Sequence, residues 1–242
     1  MRSVTIFGCG WVGRALRDAL KPTFKVDCIV KSNLQDRSDY CLDDILQGNL
    51  ELFRADSVVI SIPAREEYLK TLEQISTLLN PKSQIILLSS TSIYPKVSRY
   101  FSESSKELEQ NLIFYAERYL KAKFKDIVIL RLGGLMGYDR VCGRYTANKK
   151  IDNCKVNYIH RDDAVAIIKR VIEQNIRAKI YNLVAPMHPL HLEVSSKNAK
   201  KFGFGATKYS NLEPLNRVVL SNKVVNELNY TFLKPNPLEF WD

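Results

Sequence analysis

The sequence predicts an α/β fold built on a doubly wound parallel sheet, followed by a small C-terminal lobe. Short apolar runs alternate with helical patterns through the first half of the chain, which is typical of βαβ units. A glycine-rich turn joins the first predicted strand to the first predicted helix. The 242 residues, 45% of them apolar, suffice to bury a sizeable core as one extended unit.

Five strands and three helices are predicted in the first half. The strands fall at residues 3–7, 25–30, 57–62, 84–89 and 127–132, and the helices at 12–20, 66–79 and 106–123. Within the second helix, Leu72 and Ile75 belong to a row of apolar residues at helical spacing, as a helix over a sheet face requires. Residues 41–53 fit helix, strand or both, so the third strand stays open.

The second half of the chain has a looser pattern. Glycines between residues 133 and 143 indicate a loop-rich stretch. A helix follows at 162–174, then a strand at 180–183 and helical pieces near 192–202 and 221–228. We treat 1–242 as one unit, with the sheet core mainly in 1–133. The mixed region 134–242 holds the last sheet strand and the small lobe.

The net charge of +10 favours anionic partners. The lysines and arginines are scattered, so a phosphate-rich small molecule explains the sign and a nucleic-acid partner is not expected. No apolar stretch approaches the roughly 20 residues that a membrane span needs, and the N-terminus lacks a signal peptide. These features predict a cytoplasmic protein without a membrane partner.

The five cysteines are odd in number and widely spaced, and none forms a CxxC pair. This pattern predicts reduced thiols of a cytoplasmic protein rather than a disulfide framework or a zinc site. His188 and His191 have HxxH spacing, but the intervening Pro189 and the lack of a nearby carboxylate argue against a metal site. We therefore expect no metal.

The strongest motif is the turn at residues 8–13, GCGWVG. It follows an apolar strand and opens a helix, which is the context in which GxGxxG binds a dinucleotide in a Rossmann fold. The glycines allow the tight turn, the approach of the backbone to the pyrophosphate and close helix–strand packing, while the helix start offers its amides to the phosphates. The candidate contacts are Gly8, Gly10, Trp11, Val12 and Gly13. The alternative is a structural glycine turn that has lost its ligand.

The choice between NAD and NADP depends on the residues after the second strand. An NAD-selective site usually places Asp or Glu there to hold the ribose hydroxyls. This chain has Lys31 and Ser32 instead, and a lysine beside a hydroxyl suits the additional phosphate of NADP. We expect NADP as the cofactor, with NAD as the alternative if Lys31 is only a solvated loop residue.

Six landmarks in order resemble the extended short-chain dehydrogenase/reductases, in particular their atypical NAD(P)-dependent, nucleoside-diphosphate-sugar epimerase-like branch. Besides the glycine turn, they are IPAR at 62–65, SSTSIY at 89–94, LRLGGLMG at 130–137, VNYIHRDD at 156–163 and IYNL at 180–183. The resemblance spans nearly the whole chain and implies that the C-terminal lobe binds substrate. One departure is Phe7, where typical extended members carry a further glycine.

The resemblance implies roles for residues near the cofactor. Pro63 and Ala64 would contact the dinucleotide. Ser90 would orient a substrate hydroxyl or carbonyl from the end of a strand, where α/β sheets bind ligands. Tyr94 offers one route for a transferred proton, so Ser90 and Tyr94 are the candidate catalytic residues. A serine-rich segment that only turns the chain is the alternative.

A second group of residues is implied to bind substrate. Arg131, Arg140 and Arg144 surround the glycine-rich stretch where family members hold substrate, and guanidinium groups suit phosphates. His160 falls in the VNYIHRDD landmark near the substrate lobe. The alternatives are surface charge for the arginines and a structural hydrogen bond for the histidine.

The catalytic Tyr-x-x-x-Lys pair of the family is not in its place. The pair Tyr119 and Lys123 has the spacing, but only eight residues separate Lys123 from Arg131, so it lies near a helix end. The family's tyrosine and lysine would align near Leu108 and Leu112, which cannot move a proton. We therefore interpret Tyr119 and Lys123 as a coincidental match.

Two functional hypotheses remain. The first is an NADP(H)-binding oxidoreductase or epimerase-like enzyme that acts on a small polar metabolite, with a nucleotide-linked metabolite as one option. The second is a catalytically inactive dinucleotide-binding sensor or scaffold. A small-molecule substrate is expected in the first case, and a homodimer is left open in both.

Overall fold

The computed structural model describes residues 1–31, 39–48, 55–211 and 213–242. In chain order, the strands are β1 (Ser3–Phe7), β2 (Lys25–Val30), β3 (Asp39–Cys41), β4 (Ser57–Ile60), β5 (Gln84–Ser90), β6 (Tyr100–Phe101), β7 (Val128–Leu132), β8 (Gly134–Met136), β9 (Lys150–Ile151), β10 (Tyr158–His160), β11 (Ile180–Leu183), β12 (Lys208–Tyr209) and β13 (Val218–Val219). The helices are α1 (Trp11–Leu20), α2 (Leu42–Gly48), α3 (Tyr68–Leu78), α4 (Leu112–Lys123), α5 (Arg161–Glu173), α6 (His191–Phe202) and α7 (Asn222–Leu228).

Within the described residues the main sheet has seven strands, in the order β11-β7-β5-β4-β1-β2-β3. The pairings from β5 through β4, β1 and β2 to β3 are all parallel. The order reverses direction between β1 and β4, which is the topology of a doubly wound α/β sheet. The predicted fold class is therefore confirmed.

The strands of this sheet have nearly continuous apolar burial because helices cover both faces of such sheets. Every residue of β4 and β7 is buried. On α3, Leu72 and Ile75 have no exposed surface, as their helical spacing predicted. The open segment at 41–53 proves to contain both element types in its described part, the end of β3 and all of α2.

Helix α4 begins well after its predicted start. The apolar pattern placed a helix at 106–123, but α4 starts at Leu112 because Asn111 caps it. The Asn111 side chain accepts hydrogen bonds from the amides of Ile113 and Phe114, at 3.0 and 3.2 Å. Asparagine is among the preferred N-cap residues because its carbonyl satisfies amides that lack a partner inside the helix.

Two compact units make up the chain, and their segments alternate along the sequence. The first comprises Met1–Ile93, Glu109–Arg131 and Val165–Ile180, and it contains the glycine turn with β1 to β5. The second comprises Tyr94–Leu108, Leu132–Ala164 and Tyr181–Asp242. Part of the mixed region 134–242 belongs to the first unit, since α5 returns the chain to it after residue 164.

The second unit contains three short parallel strand pairs that the sequence does not predict. They are β8 with β10, β9 with β12, and β6 with β13. Each strand has two or three residues, too few to show an alternating pattern. A small apolar cluster of Cys142, Val156 and Val194 is packed by Met136, Tyr158, Leu238 and Trp241.

Candidate functional site

The turn between β1 and α1 requires glycine at its first position. Gly8 has a φ of +94°, in the region that side chains disfavour. A Cβ at Gly8 would lie 2.5 Å from the carbonyl oxygen of Ser61, at the end of the neighbouring strand. The Gly8 amide also donates to the carbonyl of Ile29 at 2.8 Å. The turn is thus held tightly against the ends of β2 and β4.

The other two glycines of the motif differ from each other. A Cβ at Gly13 would lie 2.4 Å from the carbonyl oxygen of Gly8, so glycine is needed for helix and turn to pack. A Cβ at Gly10 would meet no atom within 4 Å. The space beside Gly10 is therefore open, and close helix–strand packing does not explain a glycine there.

The N-terminus of α1 has a glycine as its N-cap. Gly10 makes no side-chain cap hydrogen bond, and the first turn carries no acidic residue. The first amides of a helix lack partners inside the helix and carry partial positive charge. Trp11 and Val12 begin this turn, and their contact with a cofactor stays a prediction.

A cavity of about 260 Å³ lies in the first unit beside this turn. Phe7 and Gly8 line one side, while Pro63 and side chains of α3, including Tyr68, line others. The residues that β2 contributes are Ile29, Val30 and the following Lys31. Of the predicted cofactor contacts, Gly8, Lys31 and Pro63 thus line the cavity. The exposed Ala64 and the rest of the glycine motif, Gly10, Trp11, Val12 and Gly13, are not among its lining residues. Ser32 lies outside the described residues.

Charged residues surround the mouth of this cavity. Lys31, Arg65 and Glu66 are among the lining residues. The ammonium of Lys31 forms an ion pair with the carboxylate of Glu67 at 3.1 Å. Sequence reasoning missed Arg65, Glu66 and Glu67, although Arg65 closes the IPAR landmark and could have been found from its position after β4.

Inside the cavity wall, Tyr68 has a buried phenol. Burial, and secondarily the negative charge of Glu117, raise the pKa of Tyr68 to about 12. The phenol therefore stays protonated at neutral pH and does not act as a base there.

The two candidate catalytic residues have different surroundings. Ser90 is half-buried at the end of β5, where its Oγ accepts a hydrogen bond from the amide of Ser92 at 3.1 Å. Tyr94 is fully buried in the second unit, and its hydroxyl donates to Asn182 Oδ1 at 2.8 Å and contacts the Ser102 carbonyl at 3.0 Å. The hydroxyl of Tyr94 is enclosed among these partners, which favours a structural role, and its catalytic role stays a prediction.

Arg131, a predicted substrate contact, is engaged inside the protein. Its side chain is only 4% exposed and lies against Glu117, with Nη2 to Oε2 at 2.7 Å. Its Nε adds a 3.0 Å bond to the other carboxylate oxygen, and the Ser89 hydroxyl donates to that oxygen at 2.6 Å. This buried, bidentate pair ties α4 to β7 inside the first unit and favours a structural role, while substrate binding by Arg131 stays a prediction.

Tyr119 and Lys123 both contact the same side chain, Ser76. The hydroxyl of Ser76 on α3 lies 2.9 Å from Tyr119 Oη and accepts from Lys123 Nζ at 2.8 Å. Lys123 is the last residue of α4, at the helix end predicted from its distance to Arg131. This cluster connects α3 with α4.

The remaining predicted substrate residues lie in the second unit. His160 is buried, and its Nδ1 accepts from the amide of Asp162 at 3.3 Å, which favours the structural alternative. Burial lowers the pKa of His160, partly opposed by the Asp162 carboxylate. Arg144 is exposed and lies over the ring of Phe202, while Arg140 is half-buried. Both arginines stay predictions.

The cysteine prediction is wrong for two of the five residues. A disulfide joins Cys9, in the glycine turn, to Cys28 on β2. The Cα atoms are 5.8 Å apart although 19 positions separate the residues, because β1 and β2 are paired neighbours. Strand pairing is invisible to a spacing rule such as CxxC. Cys41, Cys142 and Cys154 are free.

The described part of the chain has neither a metal-binding cluster nor a membrane-spanning helix. No group of three or more His, Cys, Asp or Glu side chains is arranged to hold a metal ion. In that same part, no helix has the length and apolar character needed to cross a membrane.

The chain is similar in sequence to a bacterial protein. No family model matches the chain. Protein YeeZ of Escherichia coli strain K12 is 26% identical over 276 residues, covering 98% of both chains. The similarity therefore extends over nearly the whole of both chains.

Solved structures agree over almost the entire chain. A protein from Methylobacillus flagellatus, assigned as an NAD-dependent epimerase/dehydratase, has a TM-score of 0.83 at 20% identity, covering 99% of this chain and 96% of that one. UDP-glucuronic acid 4-epimerase from Bacillus cereus in complex with NAD has a TM-score of 0.77 at 18% identity, covering 99% and 97%. The human epimerase family protein SDR39U1 with NADPH has a TM-score of 0.76 at 15% identity, covering 98% and 97%. The chain thus has the Rossmann fold of the NAD-dependent epimerase/dehydratases, the extended short-chain dehydrogenase/reductase fold that its six landmarks resemble.

Proposed function

We propose that the protein binds NADP(H) and acts as an oxidoreductase or epimerase-like enzyme on a small polar metabolite. The observation that carries this proposal is the glycine turn that opens α1, whose Gly8 lines a cavity together with the cations Lys31 and Arg65. The start of a helix suits the phosphate groups of an adenosine phosphate, and the neighbouring apolar cavity suits its adenine ring.

The residues present fit a dinucleotide at three points. The open space beside Gly10, which a side chain would fill, leaves room for a pyrophosphate against the backbone. The first amides of α1 would bind its oxygens. The apolar walls formed by Ile29, Pro63 and Ile75 suit an adenine ring.

The choice of NADP rests on the charge at the end of β2. Lys31 follows β2 directly, where an NAD-selective site would carry an acid. Arg65 lines the same cavity and adds a second cation. A ribose phosphate near these groups would gain charge-assisted contacts that a ribose hydroxyl cannot make. Related folds hold either cofactor, NADPH in the human protein and NAD in the Bacillus cereus epimerase.

For the reaction, Ser90 is the candidate polar group of the first unit. Its half-buried hydroxyl lies at the carboxyl end of β5, and it would orient a substrate hydroxyl or carbonyl. The second unit by itself offers Arg140 and Arg144 as candidate contacts for an anionic group. A nucleotide-linked sugar suits such cations, and the Bacillus cereus epimerase takes a substrate of this class.

A second candidate is a catalytically inactive dinucleotide-binding sensor or scaffold. It is favoured by the engagement of Tyr119 and Lys123 with Ser76, and by the apolar residues Leu108 and Leu112 where the family's tyrosine and lysine would align. In that case the protein binds NADP(H) and turns over no metabolite.

The first experiment compares the dissociation constants of NADPH and NADH by nicotinamide fluorescence. We expect tighter NADPH binding in the wild type, and a lost or reversed preference in Lys31→Asp, because the cation at the ribose becomes an anion. Lys82→Asp is the matched control, since Lys82 is exposed in the first unit and does not line the cavity. Equal affinities in the wild type would contradict the assignment of NADP.

The second experiment tests the glycine turn itself. Gly10→Val should abolish binding of both dinucleotides because its side chain takes the place of the pyrophosphate. The variant should remain folded, since a Cβ at this position meets no protein atom within 4 Å. Unchanged affinity in a variant with a normal melting temperature would show that phosphate binds elsewhere.

A further inference from the structure

Glu67 occupies an unfavourable backbone position at the mouth of the cavity. It directly precedes α3 and has a φ of +61°, in the left-handed region that glycine and asparagine favour. Residues kept in such conformations often lie at functional sites. Nothing in helix capping explains the choice, because the Glu67 side chain makes no cap hydrogen bond.

The carboxylate of Glu67 connects two lysines. It pairs with Lys31 at 3.1 Å and with Lys70 at 3.4 Å, and about half of its side-chain surface is exposed. The hydrogen bond from Lys31, and secondarily the one from Lys70, lower the pKa of Glu67, so the group is ionised at neutral pH. An acid is thus present near the end of β2, but α3 supplies it rather than the strand itself.

Its neighbours in sequence line the cavity. Arg65, Glu66 and Tyr68 are lining residues, as is Lys31. The Lys31–Glu67 ion pair therefore joins the end of β2 to the start of α3 beside the cavity. A group bound to Lys31 must share that ammonium with Glu67 or displace its carboxylate.

We propose that Glu67 sets the selectivity between NADPH and NADH by competing with the ribose phosphate for Lys31. This inference rests on the proposed NADP(H) binding. A phosphate monoester carries roughly −1.5 to −2 charge at pH 7, so a nearby carboxylate repels it while Lys31 and Arg65 attract it. NADH has an uncharged hydroxyl in the same place, which does not have to displace Glu67. The carboxylate therefore weakens NADPH binding selectively and limits the preference that Lys31 creates.

The test uses Glu67→Gln with Glu73→Gln as the matched control. Glu73 is exposed on the same helix and does not line the cavity, so both variants change the net charge equally. We expect Glu67→Gln to tighten NADPH binding about two- to fivefold, the range of an exposed ion pair, and to leave NADH binding unchanged. The gain should shrink at high salt, where surface charges are screened. A gain of the same size in Glu73→Gln would overturn the proposal, because it would be a general charge effect.

A third variant separates the backbone from the carboxylate. Glu67→Gly removes the charge and the unfavourable conformation together, so we expect the affinity change of Glu67→Gln with a slightly higher melting temperature. If only Glu67→Gly changes NADPH affinity, the backbone is responsible and the competition is refuted. Weaker NADH binding in Glu67→Gln with NADPH unchanged would also refute it, since the carboxylate would then be a ribose ligand.

The same measurements distinguish this inference from the proposed function. If NADPH is preferred and Lys31→Asp abolishes the preference, but Glu67→Gln has no effect, NADP binding stands and the role of Glu67 fails. If the wild type binds neither dinucleotide, both fail together.

Discussion

Replacing Arg131 tests whether this buried guanidinium is structural or binds substrate. Arg131→Met removes the positive charge and leaves the carboxylate of Glu117 without its partner in the interior. The side chains of both residues are at most 5% exposed. A charge that remains buried and unpaired is strongly destabilising, whereas removal of both charges is far better tolerated.

The size of the effect follows from the contacts. Arg131 donates to both oxygens of Glu117, and breaking a buried pair of this kind costs about 3–5 kcal/mol. For a chain of this length that loss lowers the melting temperature by roughly 10 °C. The double variant Arg131→Met/Glu117→Leu should recover most of it. Recovery should stop short by about 1 kcal/mol, because the Ser89 hydroxyl then loses its acceptor.

The assay is thermal unfolding of the wild type, both single variants and the double variant, followed by circular dichroism. Arg131→Lys is a further control, since an ammonium keeps the charge but cannot bind both oxygens as a fork. It should lie between the wild type and Arg131→Met. An Arg131→Met protein that melts within about 2 °C of the wild type but no longer binds its substrate would restore the substrate role and refute the structural one.

Three further predictions concern the cysteines, the histidines and the displaced Tyr/Lys pair. Alkylation of the denatured, unreduced protein should label three of its five cysteines, and five labelled thiols would contradict the disulfide. Replacing Cys9 and Cys28 by alanine should lower the free energy of unfolding by about 3 kcal/mol, the value expected for a loop of this length. Burial lowers the pKa of all three histidines, His160, His188 and His191, so the unfolded chain binds more protons than the folded one as the pH falls below about 6.5. The free energy of unfolding should therefore drop by up to about 1.4 kcal/mol per pH unit for each histidine until its folded pKa is reached. A free energy of unfolding that stays constant between about pH 7 and pH 5.5 would refute this. In a turnover assay, Tyr119→Phe and Lys123→Met should keep the wild-type rate while Ser90→Ala loses about 100-fold, and the reverse result would show that α4 carries the catalytic pair after all.

Much of the fold could be predicted from the sequence because its signals are local. The strands β1, β2 and β11 match their predicted limits, since each is a short apolar run with polar or glycine boundaries. The turn at residues 8–13 adopts the expected strand–turn–helix context. The late start of α4 was missed because the apolar pattern continues before Asn111, and only the cap shows where the helix begins.

The sequence predicts those site residues that can be recognised within one segment of the chain. It does not predict contacts between residues of two distant segments. Gly8, Gly13 and Lys31 are each recognised from their own neighbours in sequence. The Arg131–Glu117 pair and the Cys9–Cys28 disulfide instead join residues that become adjacent through packing or strand pairing. From the sequence alone, we therefore predicted that the guanidinium of Arg131 binds substrate and that Cys9 is a reduced thiol.

The charge balance beside the cavity bears on the proposed choice of cofactor. Lys31 on its own predicts NADP, and the absence of an acid directly after β2 in the sequence supports that prediction. Glu67, 36 positions later, nevertheless places a carboxylate 3.1 Å from the Lys31 ammonium. Because both groups are exposed, their attraction is weak, and a ribose phosphate with about two negative charges would be able to replace the carboxylate. Under the proposed function, selectivity would then depend on the difference between two ion pairs of Lys31, one within the protein and one with the ligand.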